Sequence, residues 1–105
     1  MPTKTLAGKT VEVDHEGYLV NHQEWNREMA PELAKEEGIE ELTPAHWKVI
    51  DFIRADYEKK GQVPTIRRMK NEGGIPTGEL YQLFPKGPAK KSAKIAGFGK
   101  PQGCV

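Results

Sequence analysis

The apolar residues follow two periods along the chain, a short alternating start and then a series of helical stripes. In LAGKTVEVDHEGYLV, apolar and polar positions alternate on both sides of DHEG. Leu6, Val11 and Val13 come before it, and Tyr18 and Val20 after it. This spacing predicts a β-hairpin over about residues 5–21 with Gly17 in its turn. Side chains repeat every second residue in a strand, so Val11 and Val13 should face inward together. MAPELAKEEG predicts a helix with Pro31 in its first turn, Gly38 at its stop, and Met29, Leu33 and Ala34 on its inner face.

The strongest helical signal is LTPAHWKVIDFIRADYEKKG. Thr43 suits the N-cap and Pro44 the first helical position. Trp47, Ile50, Ile53 (with Arg54 beside it) and Tyr57 recur at helical spacing, and Val49 and Phe52 widen the stripe. Lys59 and Lys60 match the negative end of the helix dipole, and Gly61 closes the segment. VPTIRRMKNEGGIPTGELYQLFP then predicts two short helices around a GGIP turn. Ile66 and Met69 pack on the first and Leu80 and Leu83 on the second, which Thr77 would cap. GPAKKSAKIAG predicts a last helix from Pro88 to a stop at Gly97. Ile95 is its only large apolar residue, so its attachment to the core is expected to be weak. In FGKPQGCV, Gly99, Pro101 and Gly103 fall at every second position, a pattern that excludes a helix and has little to bury. The expected class is mainly α: a small helical bundle with a helix-turn-helix-like segment, a short N-terminal β-hairpin and a flexible C-terminal arm. One domain should span residues 1–97, with a mobile arm over 98–105.

With 105 residues, 36% hydrophobic and 30% charged, the chain supports one modest core. The net charge of +1 gives no global attraction to nucleic acid, but it is unevenly placed. Residues 1–85 carry 11 basic and 15 acidic side chains, net −4, whereas 86–105 carry five lysines and no acid, net +5. No segment approaches the ~20 apolar residues of a membrane span. The start MPTKTLAGKT has no apolar core of a signal peptide. The lone Cys104 cannot form an internal disulfide and favours a reducing compartment, so a cytoplasmic location is expected.

Cys104 is the first candidate for chemistry. A thiol reacts as thiolate, which nearby positive charge and exposure favour, and Lys100 and the lysines behind it supply that charge. Gly103 leaves the approach to sulfur open. The bland alternative is an incidental cysteine near a chain end. A Cys–His dyad with His15, His22 or His46 would need positions held to about 0.5 Å, for which a mobile arm is a poor platform. His46 is more simply a first-turn helix residue. One cysteine and three scattered histidines show no zinc spacing, and no phosphate-cradling glycine loop is present, so no metal or cofactor is expected.

Residues 64–84 raise DNA binding, with Arg67, Arg68 and Lys70 on the first of two helices. The second should be the reader, yet TGELYQLF carries only Glu79 as a charge, which favours plain packing. The lysines from 86 to 100 suit weak nucleic-acid contact, an acidic groove on a protein partner, or a return over the chain's own acidic domain. In the last case Arg67 and Arg68 are candidates to anchor the folded-back arm.

DHEGYL followed by Trp25, EGIEELTPAHW, PTIRRM, YQLFPKGPAK and above all KIAGFGKPQGCV resemble the DsrC/TusE family of small sulfur-trafficking proteins. The segments run in the family's order over nearly the whole chain. The resemblance implies a mostly helical protein whose penultimate cysteine, here Cys104, carries sulfur as a persulfide on a mobile arm that partners receive. It implies two branches. In one the partner is dissimilatory sulfite reductase, which holds siroheme and iron–sulfur centres, and the chain is its gamma subunit. In the other the partners are sulfur-relay proteins and the thiouridylase of tRNA. The first branch has a second arm cysteine eleven residues before the penultimate one, where this chain has Ala93. That departure removes the intramolecular disulfide and leaves a single-cysteine, TusE-like arm. MKNEGGIPTGELY, shorter than the corresponding TusE stretch, points the other way. The sequence thus predicts a sulfurtransferase-like carrier, more than a stand-alone enzyme, that accepts sulfane sulfur on Cys104, with Lys90, Lys91, Lys94, Lys100 and Gly103 serving arm and docking. The alternatives are the sulfite-reductase gamma subunit and a helix-turn-helix regulator.

Overall fold

The computed structural model describes residues 2–100. Its order is β1 (Thr3–Leu6), β2 (Lys9–Glu12), a 3-10 turn (His22–Glu24), α1 (Met29–Glu36), α2 (Pro44–Lys60), α3 (Ile66–Asn71), α4 (Thr77–Leu83) and α5 (Pro88–Ile95). The molecule is mainly helical, with one two-stranded antiparallel sheet at its start.

The hairpin is real, but its turn lies earlier than the sequence placed it. β1 and β2 pair from Thr3↔Glu12 to Leu6↔Lys9, so the connection is Ala7–Gly8, both at positive φ (51° and 80°). Two positive φ values give the turn whose twist matches that of paired strands. Ala7 is an unfavourable residue there, and its N–H donates to Glu32 Oε2 at 2.7 Å, which ties the turn to α1. DHEG forms a second, separate loop. Asp14 Oδ1 accepts from the N–H groups of Glu16 (2.9 Å) and Tyr18 (3.0 Å), and the loop closes on the single bridge Val13↔Leu19. Tyr18 and Leu19 are both buried, while Val20 is 52% exposed.

The helices follow the sequence closely. In α1, Met29, Ala30, Leu33 and Ala34 are buried, and Gly38 closes the helix. In α2, Thr43 caps with its hydroxyl toward the His46 N–H, Pro44 opens the first turn, and Gly61 ends the helix. The Thr43 N–H donates to His46 Nδ1 at 3.0 Å, which leaves the Nε2 hydrogen to donate to the Leu83 carbonyl at 2.9 Å. His46 thus caps its own helix and ties it to α4, as a structural residue. At α4 the N-cap is Pro76 rather than Thr77, and no side chain caps it.

The main departure is α5. Pro88, Ala89, Ser92, Ala93, Lys94 and Ile95 are all buried, and burial continues through Ala96, Gly97 and Phe98. The helix packs against α1, α2 and α4 and fills the middle of the molecule. The expected weak attachment rested on counting large side chains. Small ones do the opposite here: Ala89, Ser92, Ala93 and Ala96 let neighbouring elements approach closely, so the backbone itself is buried. Ser92 turns its hydroxyl back onto the carbonyl of Pro88, so no polar atom is stranded. Complete burial of Ile95 contributes about 2–3 kcal/mol.

Because Ala93 is wholly enclosed, Ala93→Leu should overpack the core and cost about 1–3 kcal/mol, read as a lower thermal midpoint. Exposed Lys90→Ala on the same helix should stay within about 0.5 kcal/mol of wild type in the same measurement.

Candidate functional site

The C-terminal end of α5 is where the chain turns toward Cys104. The N–H of Phe98 bonds the carbonyl of Ala93 (2.9 Å) and the N–H of Gly97 bonds that of Lys94 (3.1 Å). This pair of bonds is the Schellman closure, which needs a left-handed residue at Gly97, and φ there is +88°. Gly97 has a second constraint. A Cβ at this position would land on the ring of Trp25.

Two side chains from elsewhere in the fold complete the closure. Trp25 Nε1 donates to the Ile95 carbonyl at 2.9 Å. Arg54, on α2, donates through Nη1 to the Ala96 carbonyl at 2.6 Å and through Nη2 to the His22 carbonyl at 3.3 Å. Its guanidinium lies 4.2 Å from the ring centre of Trp25 and 4.9 Å from that of Phe98. Such cation–π contacts contribute about 0.5–2 kcal/mol each, more where water is excluded. Burial pulls the Arg54 pKa down, and the Glu58 carboxylate partly offsets this. Phe98 also stacks on Tyr57 at 4.4 Å and lies 5.1 Å from the ring of His22. Burial, and then the neighbouring Arg54 charge, hold His22 below its ordinary 6.5.

Beside this cluster lies a cavity of about 340 Å³, walled by His22, Tyr57, Val63 and Phe98, with Val20 and Lys100 also on its lining. Among the described residues, Val20 and Tyr81 are the large apolar side chains left exposed.

The lysines of the basic segment divide. Lys94 is buried: its Nζ pairs with Glu37 Oε2 at 2.7 Å and donates to the Glu16 carbonyl at 3.2 Å. Lys91 is half-buried and donates to the Glu37 carbonyl at 3.1 Å. These two staple α5 to the end of α1 and to the DHEG loop. Lys90 and Lys100 are on the surface, and Lys100 Nζ lies 3.6 Å from Glu16 Oε1. Arg68 forks onto the buried Asp56 carboxylate, Nη2 to Oδ1 at 2.6 Å and Nε to Oδ2 at 3.1 Å. That pairing holds Asp56 below the usual carboxylate range and occupies the guanidinium. Arg67 is exposed. Ala93 is fully buried. Gly103 and Cys104 lie outside the described residues. Among the described residues, no three His, Cys, Asp or Glu side chains gather as metal ligands, and no helix is long and apolar enough to cross a membrane.

The sequence reading gave Trp25, Arg54 and Phe98 no role at this site and weighed His22 only as a dyad partner of Cys104. A faint signal was available for Arg54: a cation four residues after Ile50 and three before Tyr57 sits on the apolar stripe of α2. No local pattern marks Trp25, whose partner carbonyl is 70 residues away.

A family model described as DsrC like protein matches residues 5–105. The chain belongs to this DsrC-like family. It is 40% identical to "Sulfite reductase, dissimilatory-type subunit gamma" of Nitratidesulfovibrio vulgaris strain Hildenborough, with 100% of both chains covered. It is 43% identical to "Sulfurtransferase TusE" of Yersinia pseudotuberculosis, over 93% of this chain and 96% of that one. A chain in the crystal structure of dissimilatory sulfite reductase I (DsrI) superimposes with a TM-score of 0.90 at 36% identity, covering 99% of this chain and 100% of that one.

Two predictions follow from this geometry. Gly97→Ala combines a strained backbone with a collision against Trp25 and should destabilise by about 2–4 kcal/mol, measured by urea unfolding. The pH dependence has a definite sign. The folded state binds a proton at His22 less tightly than the unfolded chain, so its contribution is complete above pH 6.5 and declines as pH falls below it. His22→Phe should flatten the thermal midpoint against pH just below 6.5. The further loss at lower pH, through the depressed range of Asp56, should remain.

Proposed function

We propose that the protein is a sulfur carrier that holds one sulfane sulfur on Cys104 as a persulfide and passes it to a partner protein. The observation that carries this reading is similarity over 93% of the chain to a protein named a sulfurtransferase, joined to the lone thiol of Cys104. The chemistry needs one sulfur and no outside oxidant. The Cys104 thiolate attacks the outer sulfur of a donor persulfide, a new S–S bond forms, the donor S–S bond breaks, and the donor leaves as its thiolate. An acceptor thiolate then attacks the outer sulfur on Cys104 and releases the Cys104 thiolate. Lys100 favours the thiolate by its charge, an effect that salt weakens.

With Ala93 in place of a second cysteine, Cys104 closes no disulfide within the chain. This favours the relay branch, in which sulfur moves between proteins toward an acceptor such as the thiouridylase of tRNA. A second reading, the gamma subunit of a dissimilatory sulfite reductase, is favoured by the alignment without loss of length to a chain of that name. Copurification with a siroheme reductase would select it. The comparisons give no support to a DNA-binding regulator, and α4 offers Glu79 as its only charge.

Incubation with inorganic polysulfide followed by peptide mass spectrometry tests the carrier. The peptide holding Cys104 should gain the mass of one sulfur atom, removable by a reductant, and Cys104→Ser should gain none. An unmodified peptide under conditions that load a small-molecule thiol would sink the reading.

A further inference from the structure

We infer that Arg54, together with Trp25, is the positioning residue of the carrier: it fixes the direction in which the chain leaves the domain toward Cys104. This rests on the carrier reading. The end of α5 offers carbonyls that the helix itself cannot satisfy. Trp25 takes that of Ile95 and Arg54 that of Ala96. Arg54 also holds the carbonyl of His22, so one planar group spans α2, the 3-10 turn and the root of the arm. The guanidinium also lies against the rings of Trp25 and Phe98. Phe98 is 3% exposed and the next residue, Gly99, is exposed, so the chain passes from enclosed to exposed within one step.

Neither Arg67 nor Arg68 is placed for this work. Arg68 is held by Asp56, on the side of α2 that meets α3, and Arg67 makes no ion pair among the described residues. The fork geometry matters as much as the charge. A lysine at position 54 would supply one ammonium, which cannot bond two carbonyls while stacking flat on an aromatic ring. A carrier that delivers sulfur to a second protein must present its thiol in a repeatable direction, because transfer needs close alignment of the attacking and attacked sulfurs. Small polysulfide ions approach from any side and need no such direction.

The lone cysteine makes the test direct. Nitroxide labels on Cys104 and on an exposed Lys48→Cys report the distance between the arm and α2 by pulsed electron paramagnetic resonance. In the parent chain the distance distribution should be narrower than in Arg54→Gln, with the helical circular dichroism of both alike. Arg54→Lys should behave as Arg54→Gln does, because the fork is lost while the charge stays. Trp25→Phe keeps an aromatic face for Arg54 and loses the Nε1 donor together with part of the indole, and a broader distribution there supports the inference if Arg54→Gln proves unfolded. Equal widths in the parent and in a folded variant would overturn it. Unlabelled Arg54→Gln, with Lys48 intact, should take up sulfur from polysulfide at the parental rate. Slower loading would assign Arg54 to the thiol chemistry instead and overturn the positioning role. Failure of the unlabelled parent to load counts against the carrier, whereas the distances judge the Arg54 contacts alone.

Discussion

A buried helix end must find partners for its last carbonyls, and in this molecule that requirement falls on α5. The Schellman bonds satisfy Ala93 and Lys94, Trp25 satisfies Ile95, and Arg54 satisfies Ala96. Each partner constrains something else. Trp25 leaves no room for a side chain at Gly97. Arg54 draws the 3-10 turn and Phe98 onto α2. Phe98 in turn stacks on Tyr57 and forms one wall of the cavity beside Val20. The enclosed core and the root of the cysteine-bearing segment are thus one construction.

The same economy governs the charges. A count along the sequence gives a basic segment after an acidic domain, and the fold uses part of that contrast internally. Glu37 receives Lys94 at its carboxylate and Lys91 at its carbonyl, and Glu16 receives Lys94 at its carbonyl. These contacts are partly enclosed, so they are screened less by salt than exposed pairs are. Lys90 and Lys100 keep their outward positions, so the surface near the arm is less basic than the five lysines suggest.

Much of the fold was legible because its signals are local. Thr43, Pro44 and Gly61 bound α2 as their chemistry dictates, and the stripes of α1 and α2 name their buried residues. The hairpin turn was misplaced because Ala7–Gly8 is a weak turn signal beside DHEG, and its positive φ at alanine is supported by Glu32, 25 residues away. α5 was misjudged because size was taken for burial. Its alanines and Ser92 are invisible to a search for large apolar residues, yet they are what allow close approach. The candidate thiol was plain from its place in the chain. The residues around the arm's root were not, since Trp25, Arg54 and Phe98 meet only across long separations. Arg67 and Arg68 drew attention as a pair of adjacent cations, a pattern that says nothing about which neighbours the fold gives them.

The central place of α5 bears on how the protein is made. Among the described elements it is the last to be synthesised, and α1, α2 and α4 all await it as their common wall. While the ribosome still holds residues 88–98, the earlier helices have no centre to close around and their apolar stripes face water or chaperones. Closure of this core therefore waits until residues 88–98 have left the ribosome.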